Sequence, residues 1–223
     1  MKRLPVTMTA KEQRFGLVYF LFQLLILPAL LMQAKPFLSD GVINILFYII
    51  NLVCVMLIFH RYLKRSVKYF FRNPWEGLRI AAVCLIVYFA AELLFALAVR
   101  QFYPVFYNRN DAAITATTAT PGAAVCLVLL VPIAEETLYR GLLFDLLKFR
   151  SRIPAFIVSA AVFCFIHMIG YIGRIPFADF AISFLQYVPA GLCLGYAYVR
   201  SGSILTPILI HMAVNQIGMF SVR

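Results

Sequence analysis

Long apolar runs alternate with short polar connectors along the whole chain, and this alternation predicts membrane-spanning helices. A helix needs about 20 residues to cross a bilayer, and seven runs approach or exceed that length. They cover approximately Phe15–Met32, Val42–Phe59, Leu78–Val99, Ala123–Leu147, Ile153–Tyr171, Phe177–Val199 and Ile204–Phe220. The predicted fold class is therefore all-α, a polytopic membrane helix bundle of about seven transmembrane helices.

Two polar segments interrupt this pattern. Residues Arg61–Trp75 mix basic and aromatic side chains, which is typical of an amphipathic helix that lies in the membrane interface. Counting this segment as a helix would give eight in total. The stretch Asn108–Thr120 is rich in alanine and threonine, and it predicts a polar loop between three leading spans and four later ones. We expect one membrane domain over residues 1–223.

Composition identifies lipid as the solvent of this bundle. Hydrophobic residues make up 63% of the chain and charged residues only 13%, whereas a soluble domain is roughly 45–50% apolar. A chain with so few polar groups cannot cover its surface in water. The five cysteines lie in apolar runs without a CxxC motif, so we interpret them as small buried hydrophobic side chains.

The net charge of +11 comes from basic residues in the connectors, which indicates membrane topology and not nucleic-acid binding. These residues are concentrated before the first span and in every second connector, at Lys2, Arg3, Lys11, Arg14, Arg61, Lys64, Arg65, Lys68, Arg72, Lys148, Arg150, Arg152 and Arg200. The positive-inside rule then predicts a cytoplasmic N-terminus and a multi-pass protein of the cell membrane. The first apolar run lacks a small-residue cleavage site, so we expect a retained helix.

Three spans carry polar side chains of a kind that is costly in lipid and usually has a function there. They are Glu135, Glu136 and Arg140 in the fourth span, His167 in the fifth, and His211 and Asn215 in the seventh. At about 1.5 Å rise per residue, these groups reach a similar depth in the bilayer although the helices alternate in direction. Interhelical hydrogen bonding would explain one such residue, but a set at one depth favours a functional site.

Spacing within the fourth span assigns different tasks to its two neighbouring acids. Glu136 and Arg140 are four residues apart with the acid first, which is the favourable arrangement for an ion pair on one helix face. Glu135 is rotated by about 100° from Glu136, so it can face a polar cavity instead. Pro132 removes a backbone hydrogen bond just before these residues and predicts a kink.

These groups support hydrolysis of a peptide bond without a covalent nucleophile. Glu135 and His167 could hold and deprotonate a water molecule, while His211 and Asn215 could donate hydrogen bonds to the oxyanion that forms. Glu135, His167 and His211 could instead bind a divalent metal such as zinc, because two histidines and a carboxylate are a familiar catalytic zinc set. Spacing leaves both possibilities open. The HExxH, GxSG and paired GxGD motifs of other intramembrane proteases do not occur.

The three motifs, in this order, resemble the family of CAAX prenyl proteases and bacteriocin-processing or immunity enzymes, called the CPBP or Abi family. Its pattern EExxxR, FxxxH and HxxxN corresponds here to Glu135-Glu136 with Arg140, Phe163 with His167, and His211 with Asn215. The resemblance covers residues 122–223, which form a motif-bearing core. Residues 1–110 match the family only as hydrophobic segments, and we interpret them as variable N-terminal helices.

The resemblance implies an intramembrane endopeptidase in which Glu135 and His167 activate water and His211 and Asn215 stabilise the oxyanion. Glu136, Arg140 and Phe163 would support the site. The family has been described both as glutamate-dependent and as metal-dependent, so a zinc cofactor stays open. The expected partners are the lipid bilayer and a peptide substrate, either a secreted-peptide precursor or another membrane protein, and not a prenylated protein.

Two other functions stay open at this point. The first is a non-proteolytic membrane immunity or scaffold protein of the same family. The second is a small transporter that uses Glu92, Glu135 or Glu136 as a proton relay, although the sequence lacks the inverted repeats that would support it. Glu92, in the third span, is the one intramembrane acid that the family pattern does not explain.

Overall fold

The computed structural model describes residues 6–147 and 152–221, most of which are helical. The helices are α1 (Ala10–Leu25), α2 (Leu27–Met32), α3 (Asp40–Ile58), α4 (His60–Phe70), α5 (Pro74–Phe102), α6 (Arg109–Thr118), α7 (Pro121–Leu147), α8 (Arg152–Met168), α9 (Phe177–Ser201) and α10 (Leu205–Ser221). A 3₁₀ turn, Ile169–Tyr171, continues α8. The basic residues Lys2, Arg3, Lys148 and Arg150 lie outside the described residues.

Six segments of the described chain are long and apolar enough to cross a membrane, with α1 and α2 together forming one of them. Leu205–Phe220 in α10 is a shorter apolar helix. The outer surfaces of the spans expose large apolar side chains, such as Leu93 and Leu94 of α5, as contact with lipid requires. The predicted polytopic helix bundle is therefore confirmed, and the protein is a multi-pass membrane protein.

Helix α7 is the central helix of the bundle. In its most apolar window 56% of the residues are buried, against 17–33% in the other five spans. It contacts α1, α3, α8, α9 and α10, while α9 also packs along α5 and α8. This position explains how α7 can carry charged residues in a membrane, because neighbouring helices shield its side chains from lipid.

The backbone of α7 is irregular around Pro132. Two π-helical turns, Cys126–Leu130 and Thr137–Leu143, flank the regular segment Val131–Glu136. The N–H of Val131 is directed to the carbonyl of Cys126, and Pro132 has no N–H. The kink at Pro132 stays a prediction, but the backbone next to it contains a π turn, a feature often found at functional sites.

Helix α4, the predicted interfacial helix, is joined to the turn between α9 and α10. The N–H of Ile204 donates to the Ser66 hydroxyl at 2.8 Å, and the Ser203 hydroxyl donates to the Ser66 carbonyl at 2.9 Å. Gly202 ends α9 with a left-handed φ of 71°, which glycine adopts without steric cost. The hydroxyl pair therefore fixes where α10 begins.

Two buried carboxylates hold the N-terminal segment against the same end of the bundle. Glu12 accepts a hydrogen bond from the N–H of Tyr62 at 2.7 Å, and Asp145 accepts one from the N–H of Met8 at 3.1 Å. The residues that precede α1, helix α4, the end of α7 and the turn after α9 therefore meet at one end. These segments lie in or beside the connectors that are rich in basic residues, and we call this end the basic end of the bundle.

The polar loop predicted over Asn108–Thr120 is wrong for most of its length. Residues Arg109–Thr118 form α6, which contacts α7 and α10. Alanine is the strongest helix former, and these tertiary contacts outweigh the lower helix propensity of threonine. Helix α6 matters for function because it brings Ala113, Ile114 and Thr117 to the wall of the cavity described next.

Candidate active site

A cavity of about 300 Å³ lies among the helices of the later half of the chain, with α3 and α5 also reaching it. Glu135, His167, His211 and Asn215 all line this cavity. The side chains of His167 and Glu135 keep 24% and 25% of their surface exposed towards it, in contrast to the fully buried Glu136. The structure therefore brings together the predicted polar residues of three different helices.

Glu135 and His167 face each other without a direct hydrogen bond. Glu135 Oε2 lies 3.9 Å from His167 Nε2, while His167 Nδ1 lies 2.8 Å from the carbonyl oxygen of Phe163. A carbonyl can only accept, so Nδ1 carries the proton, and in the neutral ring Nε2 is an acceptor. Two acceptors at this separation are spaced for one water molecule that donates a hydrogen bond to each of them.

Glu136 points in a different direction and holds two other side chains. Its Oε1 accepts hydrogen bonds from Arg140 Nη1 and from His211 Nδ1, each at 2.9 Å. The carboxylate and the guanidinium are completely buried, and only 7% of the His211 side chain is exposed. The i, i+4 ion pair predicted from the spacing is therefore present, and it also fixes the ring of His211.

Phe163 packs between the charged pair and the two imidazoles. The Arg140 guanidinium carbon lies 4.3 Å from the centre of the Phe163 ring, and the His167 ring centre lies 4.4 Å from it. The His211 ring meets Phe163 edge-on at 6.0 Å. A guanidinium above an aromatic face gains cation–π attraction in addition to packing. These contacts give a physical reason for an aromatic residue one helical turn before His167.

The buried ion pair leaves polar atoms without partners. Glu136 Oε2 and Arg140 Nε are buried and make no hydrogen bond within the described residues. Buried polar atoms of this kind cost free energy, and a buried ion pair is often no more stable than apolar side chains of similar volume. The arrangement is better explained by the fixed position it gives to His211 than by a gain in stability.

Asn215 is tied to the irregular backbone of α7. Its Nδ2 donates to the carbonyl of Leu127 at 2.9 Å. In a helix, that carbonyl would receive the N–H of residue 131 or 132, but Val131 is directed to Cys126 and Pro132 has none. One amide N–H of Asn215 therefore replaces a missing backbone donor, and the second remains for other uses, since a side-chain amide has two.

The cavity also contains polar groups that the motifs did not identify. Gln186 and Tyr187 of α9 line it, and the ring of Tyr187 lies 4.6 Å from that of His167. Glu92 of α5 lines the same cavity. No local sequence pattern links α5 and α9 to the motifs, because these contacts join distant parts of the chain.

A second cavity, of about 180 Å³, lies on another side of Glu135. It is lined mainly by apolar residues of α1, α2, α3, α7 and α8, and it shares Tyr48, Val131 and Glu135 with the larger cavity. Pro28, at the break between α1 and α2, contributes to its wall. Glu135 therefore lines both cavities, the larger one with its several polar residues and the smaller one with its mainly apolar wall.

The alternative zinc set, Glu135, His167 and His211, does not form a metal-binding group as arranged. Within the described residues, no three His, Cys, Asp or Glu side chains are placed to hold one ion. His211 uses Nδ1 for Glu136, so only its Nε2 is left for a metal. A zinc requirement stays a prediction, and no step below is routed through a metal.

Comparison with known proteins adds a family relationship to this geometry. Residues 117–217 match the family described as type II CAAX prenyl endopeptidase Rce1-like. An uncharacterized 24.3 kDa protein of Escherichia coli is 26% identical over 177 residues, which cover 75% of this chain and 74% of that protein. The UPF0177 protein YajF of Lactococcus lactis is 23% identical over 171 residues, 73% of this chain and 77% of that protein. No solved structure matches.

Proposed function

We propose that this protein, whose residues 117–217 match the family described as type II CAAX prenyl endopeptidase Rce1-like, hydrolyses a peptide bond of a membrane-associated peptide or protein inside the bilayer. The observation that carries this proposal is the 3.9 Å separation of Glu135 Oε2 and His167 Nε2 at the wall of one cavity. Both groups are acceptors, and the space between them suits a water molecule that is held by two hydrogen bonds and keeps a lone pair free.

In the proposed reaction, Glu135 is the general base and His167 positions the water. The water oxygen attacks the carbonyl carbon of the scissile bond while Glu135 takes up its proton. Glu135 then returns the proton to the amide nitrogen, the C–N bond breaks, and the products are a carboxylic acid and an amine. Exclusion of bulk water from the cavity would strengthen each of these electrostatic interactions.

The oxyanion formed by the attack needs hydrogen-bond donors. We assign this role to His211 Nε2 and to the second amide N–H of Asn215, since both residues line the cavity. The donating form of His211 is the doubly protonated ring, in which Glu136 holds Nδ1–H and Nε2–H is left for the oxyanion. Glu136, Arg140 and Phe163 act by positioning His211 and do not touch the reacting atoms.

The substrate is proposed to be a secreted-peptide precursor or another membrane protein. The family name points to prenylated CAAX sequences, so both classes enter the test. The full chain would be reconstituted in liposomes with two fluorescence-quenched peptides of one sequence, one S-farnesylated and one unmodified. A peptide library prepared from bacterial membrane proteins would be added separately, with mass spectrometry as the readout of cleavage.

Glu135→Gln and His167→Gln should lower the cleavage rate by about 10²- to 10⁴-fold, the usual contribution of a general base. Thermal stability should stay unchanged, because both side chains face the cavity. Glu76→Gln, an exposed acid in the first turn of α5, is the matched control and should keep full activity. Cleavage by Glu135→Gln at the wild-type rate would disprove the assignment. A biological effect that survives in Glu135→Gln would favour the non-proteolytic immunity or scaffold function.

A further inference from the structure

One face of α4 carries a stripe of positive charge. Arg61, Lys64, Arg65 and Lys68 are exposed, and since each residue turns the helix by about 100°, they fall within an arc of about 100° around its axis. The opposite face of α4 packs against α3 and α10, and its buried residues are Tyr62, Leu63, Ser66 and Phe70. The cations are therefore held on the side of α4 that points away from the bundle.

Most of this charge has no counterion within the protein. Arg65 pairs with Glu12 at 3.5 Å, whereas Arg61, Lys64 and Lys68 make no ion pair within the described residues. Topology in a membrane requires basic residues near the ends of the spans, but it does not require them to align on one face of a helix. The alignment points to a ligand that carries negative charge.

Exposed apolar side chains beside the stripe identify the class of this ligand. Val67 of α4 and Phe71 and Trp75, which follow this helix, are exposed. A nucleic acid or an acidic peptide would leave these apolar surfaces in water. An anionic phospholipid supplies a phosphate to the cations and acyl chains to the apolar side chains, so both parts of the surface are satisfied.

We propose that α4 binds the headgroup phosphates of anionic phospholipids through Arg61, Lys64 and Lys68, and that this contact stabilises the start of α10. The link between the two helices is Ser66 on the buried face of α4, whose hydroxyl accepts the N–H of Ile204 at 2.8 Å. A lipid that holds one face of α4 therefore also holds the turn that is bound to the other face.

This link gives the lipid an influence on the candidate active site. Helix α10 begins at Leu205, directly after the turn, and carries His211 and Asn215 to the wall of the larger cavity. The composition of the surrounding membrane thus regulates how firmly these two side chains are positioned.

The single tryptophan of the chain reports on the lipid beside α4. Trp75 lies in the first turn of α5, where Gly77 is in contact with the ring of Phe70 at the end of α4. The full chain is reconstituted in vesicles of phosphatidylcholine. Increasing fractions of brominated phosphatidylglycerol, or of brominated phosphatidylcholine, are then included, and quenching of the Trp75 fluorescence is measured.

Each cation beside an anionic membrane surface adds about fivefold to the affinity, so three of them predict a preference for phosphatidylglycerol of about 100-fold at low salt. High salt should weaken this preference by screening. Loss of the three exposed cations should make the two lipids quench almost equally, in the triple variant Arg61→Gln, Lys64→Gln and Lys68→Gln. The matched control removes three exposed cations at the opposite end of the bundle and should keep the preference, with Lys35→Gln, Arg100→Gln and Arg174→Gln.

Hydrogen exchange tests the link to α10. In the wild-type protein, the Ile204 N–H should exchange about 10-fold more slowly in vesicles with phosphatidylglycerol than in phosphatidylcholine alone, and the triple variant should lose this difference. Equal quenching by both lipids in the wild-type protein, or a preference that survives in the triple variant, would overturn the lipid site. A preference without any change at Ile204 would overturn the regulation of α10. Neither measurement depends on cleavage, so both are independent of the proposed peptidase function.

Discussion

Glu136 holds His211 at 2.9 Å between Oε1 and Nδ1, although the two residues lie 75 positions apart in the chain. The same oxygen accepts a hydrogen bond from Arg140, so one buried carboxylate links an ion pair within α7 to the proposed oxyanion donor on α10. The acid that is adjacent in sequence, Glu135, makes neither contact and faces the cavity. The two neighbouring glutamates therefore have different environments. Substitution of Glu136 should lower the stability of the protein, whereas substitution of Glu135 should lower its activity.

Glu136→Gln should destabilise the protein strongly, whereas Glu135→Gln should not. Removal of one partner of a buried ion pair costs about 3–5 kcal/mol, because the other charge is left uncompensated. The measurement is thermal unfolding in detergent for Glu136→Gln, Arg140→Met and the double variant. The double variant should be less destabilised than the sum of the two single changes, because it leaves no unpaired charge. Additive losses would show that the two side chains do not interact.

Asn215→Ala should lower the stability of the protein, because the Leu127 carbonyl loses its hydrogen bond. It should also lower the cleavage rate for a separate reason, the loss of a proposed oxyanion donor. An unsatisfied buried acceptor costs about 1–3 kcal/mol. Pro132→Ala restores an N–H that can reach the carbonyl of Leu127 in a π turn, so adding it to Asn215→Ala should recover much of the lost thermal stability. The cleavage rate should stay low in the double variant. Recovery of both properties would mean that Asn215 serves the backbone of α7 and not the oxyanion.

Ser66→Ala should loosen the start of α10. The change removes the acceptor of the Ile204 N–H and one partner of the Ser203 hydroxyl, both buried, at a cost of about 1–3 kcal/mol. Hydrogen exchange at Ile204 should accelerate while exchange in α3 stays the same. Ser39→Ala, at the exposed N-cap of α3, serves as a comparison because it removes a cap that is open to solvent. No change at Ile204 would show that the turn is held by its glycine alone.

The basic end of the bundle should face the cytoplasm. A phosphatase domain inserted after Asn73 should be inactive in bacterial cells, since alkaline phosphatase needs the oxidising space outside the inner membrane. The same domain inserted after Val105 or after Gly173 should be active. A fluorescent protein that folds only in the cytoplasm should give the opposite pattern at each position. The reverse result at all positions would invert the orientation predicted from the lysines and arginines.

The order of the apolar helices could be predicted because lipid imposes one rule on every span, namely a long apolar helix. Of the seven predicted spans, six are long enough to cross a membrane in the described residues, and the last, Leu205–Phe220, is a shorter apolar helix. The pairing of Glu136 with Arg140 could be predicted for a similar reason, since both lie on one helix and the helical repeat fixes their distance. Helix α6 could not be predicted, because its alanines and threonines show no apolar periodicity and its stability comes from α7 and α10. Glu12 and Asp145 were missed because their partners, such as Tyr62 and Met8, are far away in sequence.

The cavity was predictable as a meeting of motifs, but its composition was not. Glu92 was visible as an unexplained acid, whereas Gln186 and Tyr187 lie in an apolar run without any motif of their own. The position of Tyr187 beside His167 follows from the way α9 packs on α5 and α8. The helical rise per residue predicts that polar side chains of three helices lie at one depth in the bilayer. It does not predict which face of a fourth helix, α9, is turned towards them.

Glu135, Glu136 and Arg140, the charged residues in the middle of α7, also have a consequence for biosynthesis. A charged residue at the centre of a helix adds about 2.5–3.5 kcal/mol to the free energy of membrane insertion, so α7 enters lipid poorly without partners. His211 reaches the ribosome exit only after α7, α8 and α9 have been made. Until then Glu136 lacks its histidine and the cavity lacks the α10 wall. In the proposed mechanism, the oxyanion donors therefore join Glu135 and His167 only after the helices have assembled.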